Sequence, residues 1–266
     1  MRKTNLFLFL ILISALSAFP QEKLRNIAKD VVPTTMFQVT YAAQLPGLDT
    51  RTTFGFTNTI GGSVIYKTQD NWLLTANGNF IFGNQLKGDR IDIFCEGITT
   101  EYGEITGGAG MYSTFAIYQR GMHFQAEVGK LFPIWPNPNS GIFVQAGVGY
   151  LRNRIKIDFD RNTNNTPYVV YEDYEYGYDR MRGGPAFHIE AGYLYLGNAR
   201  VANFSVSLEA TYARNRDLRE YDFRVFDGVP VGYKDLSKRY NDFYYGIRVS
   251  WNIPTYQRQP EEYYYN

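Results

Sequence analysis

Two histidines, three glutamates and one arginine draw attention through their spacing. His123-Phe-Gln125-Ala-Glu127 and His188-Ile-Glu190 set polar groups two residues apart, and Glu209 and Arg248 lie in similar alternating runs. In a strand, residues i, i+2 and i+4 share a face. Each run therefore offers its ionisable groups on one side. Carboxylates, imidazoles and a guanidinium brought together in this way could pass protons, bind a substrate, or neutralise one another as a buried ion network. The choice depends on what the opposite faces of these strands meet.

Those faces are apolar. In Phe204-Ser-Val-Ser-Leu-Glu-Ala-Thr-Tyr212 every second residue is hydrophobic and the rest are polar. Strict alternation marks a strand with one greasy and one wet face. In a soluble sandwich the wet face looks outward. In a membrane barrel the greasy face meets lipid and the polar face fills the lumen.

An export signal favours the barrel. Arg2 and Lys3 precede the apolar run Leu6–Ala15, and Ala15-Leu16-Ser17 provides small residues for cleavage. The run is too short for a spanning helix, and no later apolar stretch approaches the ~18 residues such a helix needs. Cys95 is the only cysteine, so the chain has no intramolecular disulfide and no cysteine zinc cluster. The net charge of +1 leaves no electrostatic footprint for nucleic acid. Aromatic residues make up 17%, 23 of them Tyr; such residues favour the membrane–water boundary.

Eight strands are expected, over 36–45, 58–67, 72–82, 122–132, 141–157, 184–196, 201–213 and 242–253. The connections 68–71, 133–140 and 197–200 are short, whereas 46–57, 83–121, 158–183 and 214–241 are long. Short and long alternate, as periplasmic turns and extracellular loops do in outer-membrane barrels. Residues 103–119 could supply a ninth strand, but an odd count would break that alternation. They are read instead as a hairpin or short helix over the barrel mouth. The expected organisation is a signal peptide at 1–20, a periplasmic leader at 21–35, the barrel at 36–253 and a Tyr-rich periplasmic tail at 254–266. The fold class is all-β: an eight-stranded antiparallel up-and-down transmembrane β-barrel with long extracellular loops, in the cell outer membrane.

With that parity, His123, Glu127, His188, Glu190, Glu209 and Arg248 all point into the lumen. Eight strands leave room there for side chains and little else, so these six are read as a polar network rather than a catalytic, cofactor or metal site. Lys130 alone breaks the outward apolar rows of the strand cores, near a periplasmic end where its stem can snorkel. Gly107-Gly-Ala-Gly110 lacks the Gly-Lys-Ser of a phosphate loop and serves to bend the chain. Asp158-Phe-Asp160 lacks the glycine and distal glutamate of a calcium loop. The working parts are then the outer loops. Tyr171, Tyr174 and Tyr176 alternate with acids, and Arg214 and Arg216 begin the last loop. Tyr and Arg dominate protein–protein hot spots.

Three segments carry a resemblance. Gly246, Val249 and Trp251 of the last strand resemble the terminal-strand signal read by the barrel-assembly machinery. Gly129-Lys-Leu-Phe-Pro133 running to Asn139-Ser-Gly-Ile142 is similar to a periplasmic hairpin of small outer-membrane barrels of Bacteroidota, and the Tyr-rich end 254–266 resembles the same group. Such barrels include accessory subunits of the barrel-assembly machinery and of the type 9 secretion system. The resemblance implies a non-enzymatic accessory subunit with outer-membrane lipid, lipopolysaccharide and other outer-membrane proteins as partners. The rivals are an outer-leaflet lipid-modifying enzyme and a freestanding structural or adhesive barrel. The enzyme would place its nucleophile and base toward lipid, whereas His123 and His188 point inward and no His-x-Ser follows either. No cofactor is expected.

The topology is testable on intact cells. With Cys95 removed, single cysteines placed in 83–121, 158–183 and 214–241 should react with an impermeant thiol reagent, and cysteines in 254–266 should not. Labelling of Tyr264→Cys would mean an odd strand count.

Overall fold

Alternation at the level of residues builds a closed sheet. The computed structural model describes residues 30–87, 99–100, 102, 104–107, 110–113, 115–134, 136–159, 178–197, 203–219 and 237–255. In chain order its elements are β1 (Thr34–Leu48), the one-turn helix α1 (Thr50–Thr53), β2 (Thr57–Lys67), β3 (Trp72–Gly83), β4 (Ile105–Thr106) and β5 (Tyr112–Ser113). Then come β6 (Phe115–Ile134), β7 (Asn137–Phe159), β8 (Arg182–Leu196), β9 (Asn203–Asp217) and β10 (Arg239–Pro254). Eight of these close into a barrel in the order β1-β2-β3-β6-β7-β8-β9-β10, with β10 paired back onto β1. Every pairing is antiparallel.

The outward rows match the parity read from sequence. Phe37, Val39, Tyr41 and Leu45 on β1, Phe124 and Val128 on β6, and Ile247, Val249 and Trp251 on β10 are all exposed. A closed barrel leaves no unpaired backbone edge, which is what allows strands to cross hydrocarbon. The apolar belt and the closure together make this an outer-membrane barrel. Lys130 sits on the outward row at the end where the chain turns. Its ammonium lies 2.7 Å from the carbonyl of Asp70 and 4.9 Å from the centre of the Trp72 ring.

Local chemistry sets the turns. Thr68 and Trp72 are bridged by Thr68 N–H donating to the Trp72 carbonyl (2.8 Å), and Asn71 takes φ of 62°. Asn tolerates that left-handed conformation because its side chain is short and polar. Between β6 and β7 the turn is tighter than expected: β6 runs to Ile134 and β7 starts at Asn137, with a register shift at Pro133/Ile134.

The strands are also longer than the apolar pattern indicates. Residues 115–121, expected in a loop, are the top of β6 and pair with 153–159 of β7. Arg214 and Arg216, expected at the start of a loop, continue β9, which ends at Asp217. The physical reason is a swap of polarity at constant parity. Above the belt on β7, Leu151, Ile155 and Ile157 point inward and are buried, while Arg152, Arg154 and Lys156 point outward. There the outside is water and the inside is core, so an apolar-out search stops too soon. Ile105–Thr106 and Tyr112–Ser113 do pair as a local hairpin, β4–β5, in a sheet of its own. Gly110, at φ 77°, closes its turn by donating to the Gly107 carbonyl (3.0 Å).

The interior is layered. At the end holding the turns, Met36, Ile65, Leu73, Leu131, Phe143, Leu194 and Leu196 form one buried apolar cluster. Below it, Lys67 Nζ donates to the Val32 carbonyl (3.2 Å) and to Asn139 Oδ1 (2.9 Å), tying down the chain that enters β1. A polar band fills the middle. A second apolar cluster of Ile81, Leu151, Ala186, Ala213 and Tyr244 lies above the band. Phe54, Ile105, Phe115, Ile155, Ile157 and Tyr178 cap the other end. Interiors packed in this way leave few voids larger than a water.

A lumen closed by apolar layers at both ends should not conduct. Purified protein in planar bilayers should show a flat baseline, and steady nanosiemens openings would contradict the layered packing.

Candidate functional site

The polar band brings together five of the six ionisable residues singled out in the sequence. Register explains how. Glu190 on β8 stands directly opposite Glu209 on β9. Two like charges in that position repel. Arg248, on the next strand, answers both: its Nε lies 2.6 Å from Glu209 Oε2 and its Nη1 3.6 Å from Glu190 Oε2. The Nε contact is an ion pair rather than a well-aligned hydrogen bond. All three side chains are almost fully buried.

Neutral donors complete the carboxylates. Gln44 Nε2 donates to Glu209 Oε1 (2.6 Å), Ser207 Oγ to Glu190 Oε1 (2.5 Å) and Gln145 Nε2 to Glu190 Oε2 (2.9 Å). Gln125 donates to Glu127 Oε1. His188 holds the centre. Its Nε2 faces Glu127 Oε1 at 3.4 Å, Glu190 Oε2 at 3.7 Å and Glu209 Oε2 at 4.0 Å, while its Nδ1 meets Thr211 Oγ1 at 2.8 Å. His123 stands apart. It packs its ring against His188 at 5.9 Å, edge to face, but its Nε2 has no hydrogen-bond partner among the described residues.

Two glycines make these crossings possible. Gly147 on β7 separates Glu127 from His188, and Gly246 on β10 separates Gln44 from Glu209. Each pair reaches across the intervening strand over the spot where a side chain would stand. A Cβ on Gly246 would lie 2.8 Å from the Cα of Gln44, and one on Gly147 would lie 2.7 Å from the Cα of Glu127. Gly246 therefore has a structural reason to be glycine, beside its place in the terminal-strand pattern. Val249 and Trp251 of that pattern are exposed on the outer face.

The ligand atoms of Glu127, His188 and Glu190 lie within 4.8 Å of one another, a spacing that a cation could bridge. Arg248 already places its guanidinium against this group, so the arrangement reads as an ion network that carries its own cation. Thr211, His188 and Glu127 also have the connectivity of a nucleophile, a base and an acid. All three are buried, and among the described residues apolar layers lie between them and each end of the barrel.

A second polar layer escaped the sequence reading. Asn215 Nδ2 (2.5 Å) and Asn153 Nδ2 (3.3 Å) donate to Asp242 Oδ2, and Asn153 Nδ2 (3.1 Å) and Gln119 Nε2 (3.0 Å) to the Tyr244 hydroxyl oxygen. The signal was present: Asn153 and Asn215 continue the inward parity of β7 and β9 beyond the apolar belt.

Of the five proposed interface residues, Tyr171, Tyr174 and Tyr176 lie outside the described residues. Arg214 and Arg216 are exposed on the outer face of β9, and Arg216 is paired across from Arg239 of β10.

Arg248→Leu strands buried carboxylates and should cost about 3–5 kcal/mol of stability. Gly246→Val should cost about 1–3 kcal/mol by overpacking the seam. Urea unfolding of the protein reconstituted in vesicles reads both. An unchanged midpoint for Arg248→Leu would show that the network is dispensable.

No protein-family model matches this chain, and no curated protein matches it. Among solved structures it is similar to the N-terminal β-barrel domain of Pseudomonas aeruginosa OprF, with 11% identity over 84% of this chain and 100% of that one, at a TM-score of 0.37. It is also similar to Ail, the attachment invasion locus protein of Yersinia pestis, with 7% identity over 83% and 99% of the two chains and a TM-score of 0.38. Neisserial surface protein A gives 12% identity over 82% and 96%, with a TM-score of 0.37. Likeness at that level supports nothing further, and the barrel stands on its own strand register.

Proposed function

We propose that this outer-membrane barrel is a non-enzymatic accessory subunit of a larger outer-membrane complex for protein export or for barrel and surface-lipoprotein assembly. One observation carries the reading: the lumen is filled by its own side chains and closed by apolar layers at both ends. Transport and catalysis have no space inside, so the work falls to the outer surfaces. A wall on β8 and β9 presents Phe187, Ile189, Tyr193, Val206 and Leu208 outward, a face that a second barrel could cover within the membrane. Above it, Arg214 and Arg216 stand on the same strand. The periplasmic hairpin at 129–142 and the Tyr-rich tail, which resemble those of Bacteroidota barrels, support the accessory role by resemblance. In this reading the long connections are extracellular, and the tail at 254–266 is periplasmic.

Gentle-detergent pull-down of the tagged full chain tests the proposal. The wild type should retain outer-membrane proteins at fixed stoichiometry. Alanine at Tyr171, Tyr174, Tyr176, Arg214 and Arg216 together should release them while heat-modifiable folding and surface display persist. Absence of any stoichiometric partner in the wild type would favour a freestanding barrel and defeat the accessory reading.

A further inference from the structure

The tallest part of the barrel carries a charge pattern that the lumen does not explain. β6 and β7 span 20 and 23 residues, about twice the 9–11 that a tilted strand needs to cross hydrocarbon. Their outward residues pair in register. Phe124 faces Tyr150 in the belt. The next outward step pairs Met122 with Arg152, the one after pairs Arg120 with Arg154, and the next Tyr118 with Lys156. The aromatic boundary of the membrane is thus followed at once by four cations on two adjacent strands.

These cations form a groove. Phe80, Arg120, Met122, Arg152, Arg154 and Lys156 line a concavity of ≈ 390 Å³ on the outer wall. Its floor is apolar where Phe80 and Met122 continue the belt, and its upper sides are basic. Among the described residues, no carboxylate lies within ion-pair distance of any of the four cations. Arg120 donates only to its neighbour's carbonyl (Gln119 O, 2.8 Å) and lies 4.9 Å from the centre of the Tyr118 ring. Arg120 and Arg154 are like charges directly opposite each other, an arrangement that destabilises a sheet unless an anion lies between them. At the opposite end of the belt the outward cation is Lys130, already held by the Asp70 carbonyl.

We infer that this groove is a binding site for the phosphorylated headgroup of an outer-leaflet glycolipid of the lipid A class, with the acyl chains on the apolar floor. Arg152, Arg154 and Lys156 recur every two residues, about 7 Å apart along the strand. One rigid headgroup bearing two phosphates can therefore engage several cations at once. Arginine suits this role because its planar fork binds phosphate bidentately. The inference rests on the orientation proposed above, with the long connections outside, and not on the accessory role. Cysteine labelling tests that orientation separately.

Native mass spectrometry of the purified full chain in a zwitterionic detergent decides the matter, with bisphosphorylated lipid A as the probe. Each lost cation near an anionic surface weakens binding by about 1 kcal/mol. R152Q/R154Q/K156Q should therefore bind lipid A on the order of a hundred-fold more weakly than wild type. A charge-matched control at the same end of the barrel, R51Q/K87Q/K238Q, should stay within about twofold. Wild-type protein should bind dephosphorylated lipid A as poorly as the groove variant binds the intact lipid; this arm requires no mutant to fold. Heat-modifiable migration verifies that both variants remain barrels. The site would be overturned by equal loss in the control, by unchanged binding in the groove variant, or by equal affinity for phosphatidylglycerol. Displacement by millimolar inorganic phosphate would mean a free-anion site and would overturn the lipid assignment.

Discussion

Glu190 facing Glu209 across β8 and β9 is the contact on which the interior depends. Two buried carboxylates at one rung of a narrow lumen need a cation, and Arg248 provides it from the adjoining strand. The surrounding residues follow from that demand. Gln44 and Ser207 satisfy the Oε1 atoms that the guanidinium leaves over, Gln145 shares Glu190 Oε2 with it, and His188 fills the space between all three glutamates. Gly147 and Gly246 are bare because long side chains must pass over them. Apolar clusters lie above and below this band, and the low local dielectric of a buried site strengthens each interaction within it.

Much of this was legible from the residues alone, for a physical reason. Inside the membrane, lipid enforces apolar side chains on one face, and the pleat then fixes every other residue as inward. The inward parity of Glu127, His188, Glu190, Glu209 and Arg248 needed nothing more. Parity alone says nothing about which rung each residue occupies. That depends on strand register, and register brings Glu190 opposite Glu209 while leaving His123 without a polar partner for its Nε2. Legibility failed where the solvent changed. Beyond the belt the outward residues become polar or basic, so the tops of β6 and β9 read as loops. Toward the turns, both Met36 and Phe37, or Leu73 and Trp72, are hydrophobic, and the plug that closes the barrel is hidden in a run without contrast.

The barrel wall is uneven in consequence. β2 and β3 stop after 11 and 12 residues, whereas β6 and β7 continue for 20 and 23. α1 lies against β1 and β10, and Ile105 of the hairpin β4–β5 joins Phe54, Phe115, Ile155, Ile157 and Tyr178 in the apolar cluster over the mouth. The tall side stands clear of the membrane, with a core of its own. The molecule thus joins a membrane barrel to the base of a soluble one, using the same strands for both.

Arg248 lies on β10, the strand that closes the sheet onto β1. Glu190 and Glu209 stand on the two strands before it, so the guanidinium that answers them comes from the strand that makes the seam. Seam and ion network therefore share one element: prising β10 from β9 withdraws the guanidinium from Glu209 and leaves two buried carboxylates facing each other. The charges inside thus lock the edge that the backbone alone would hold.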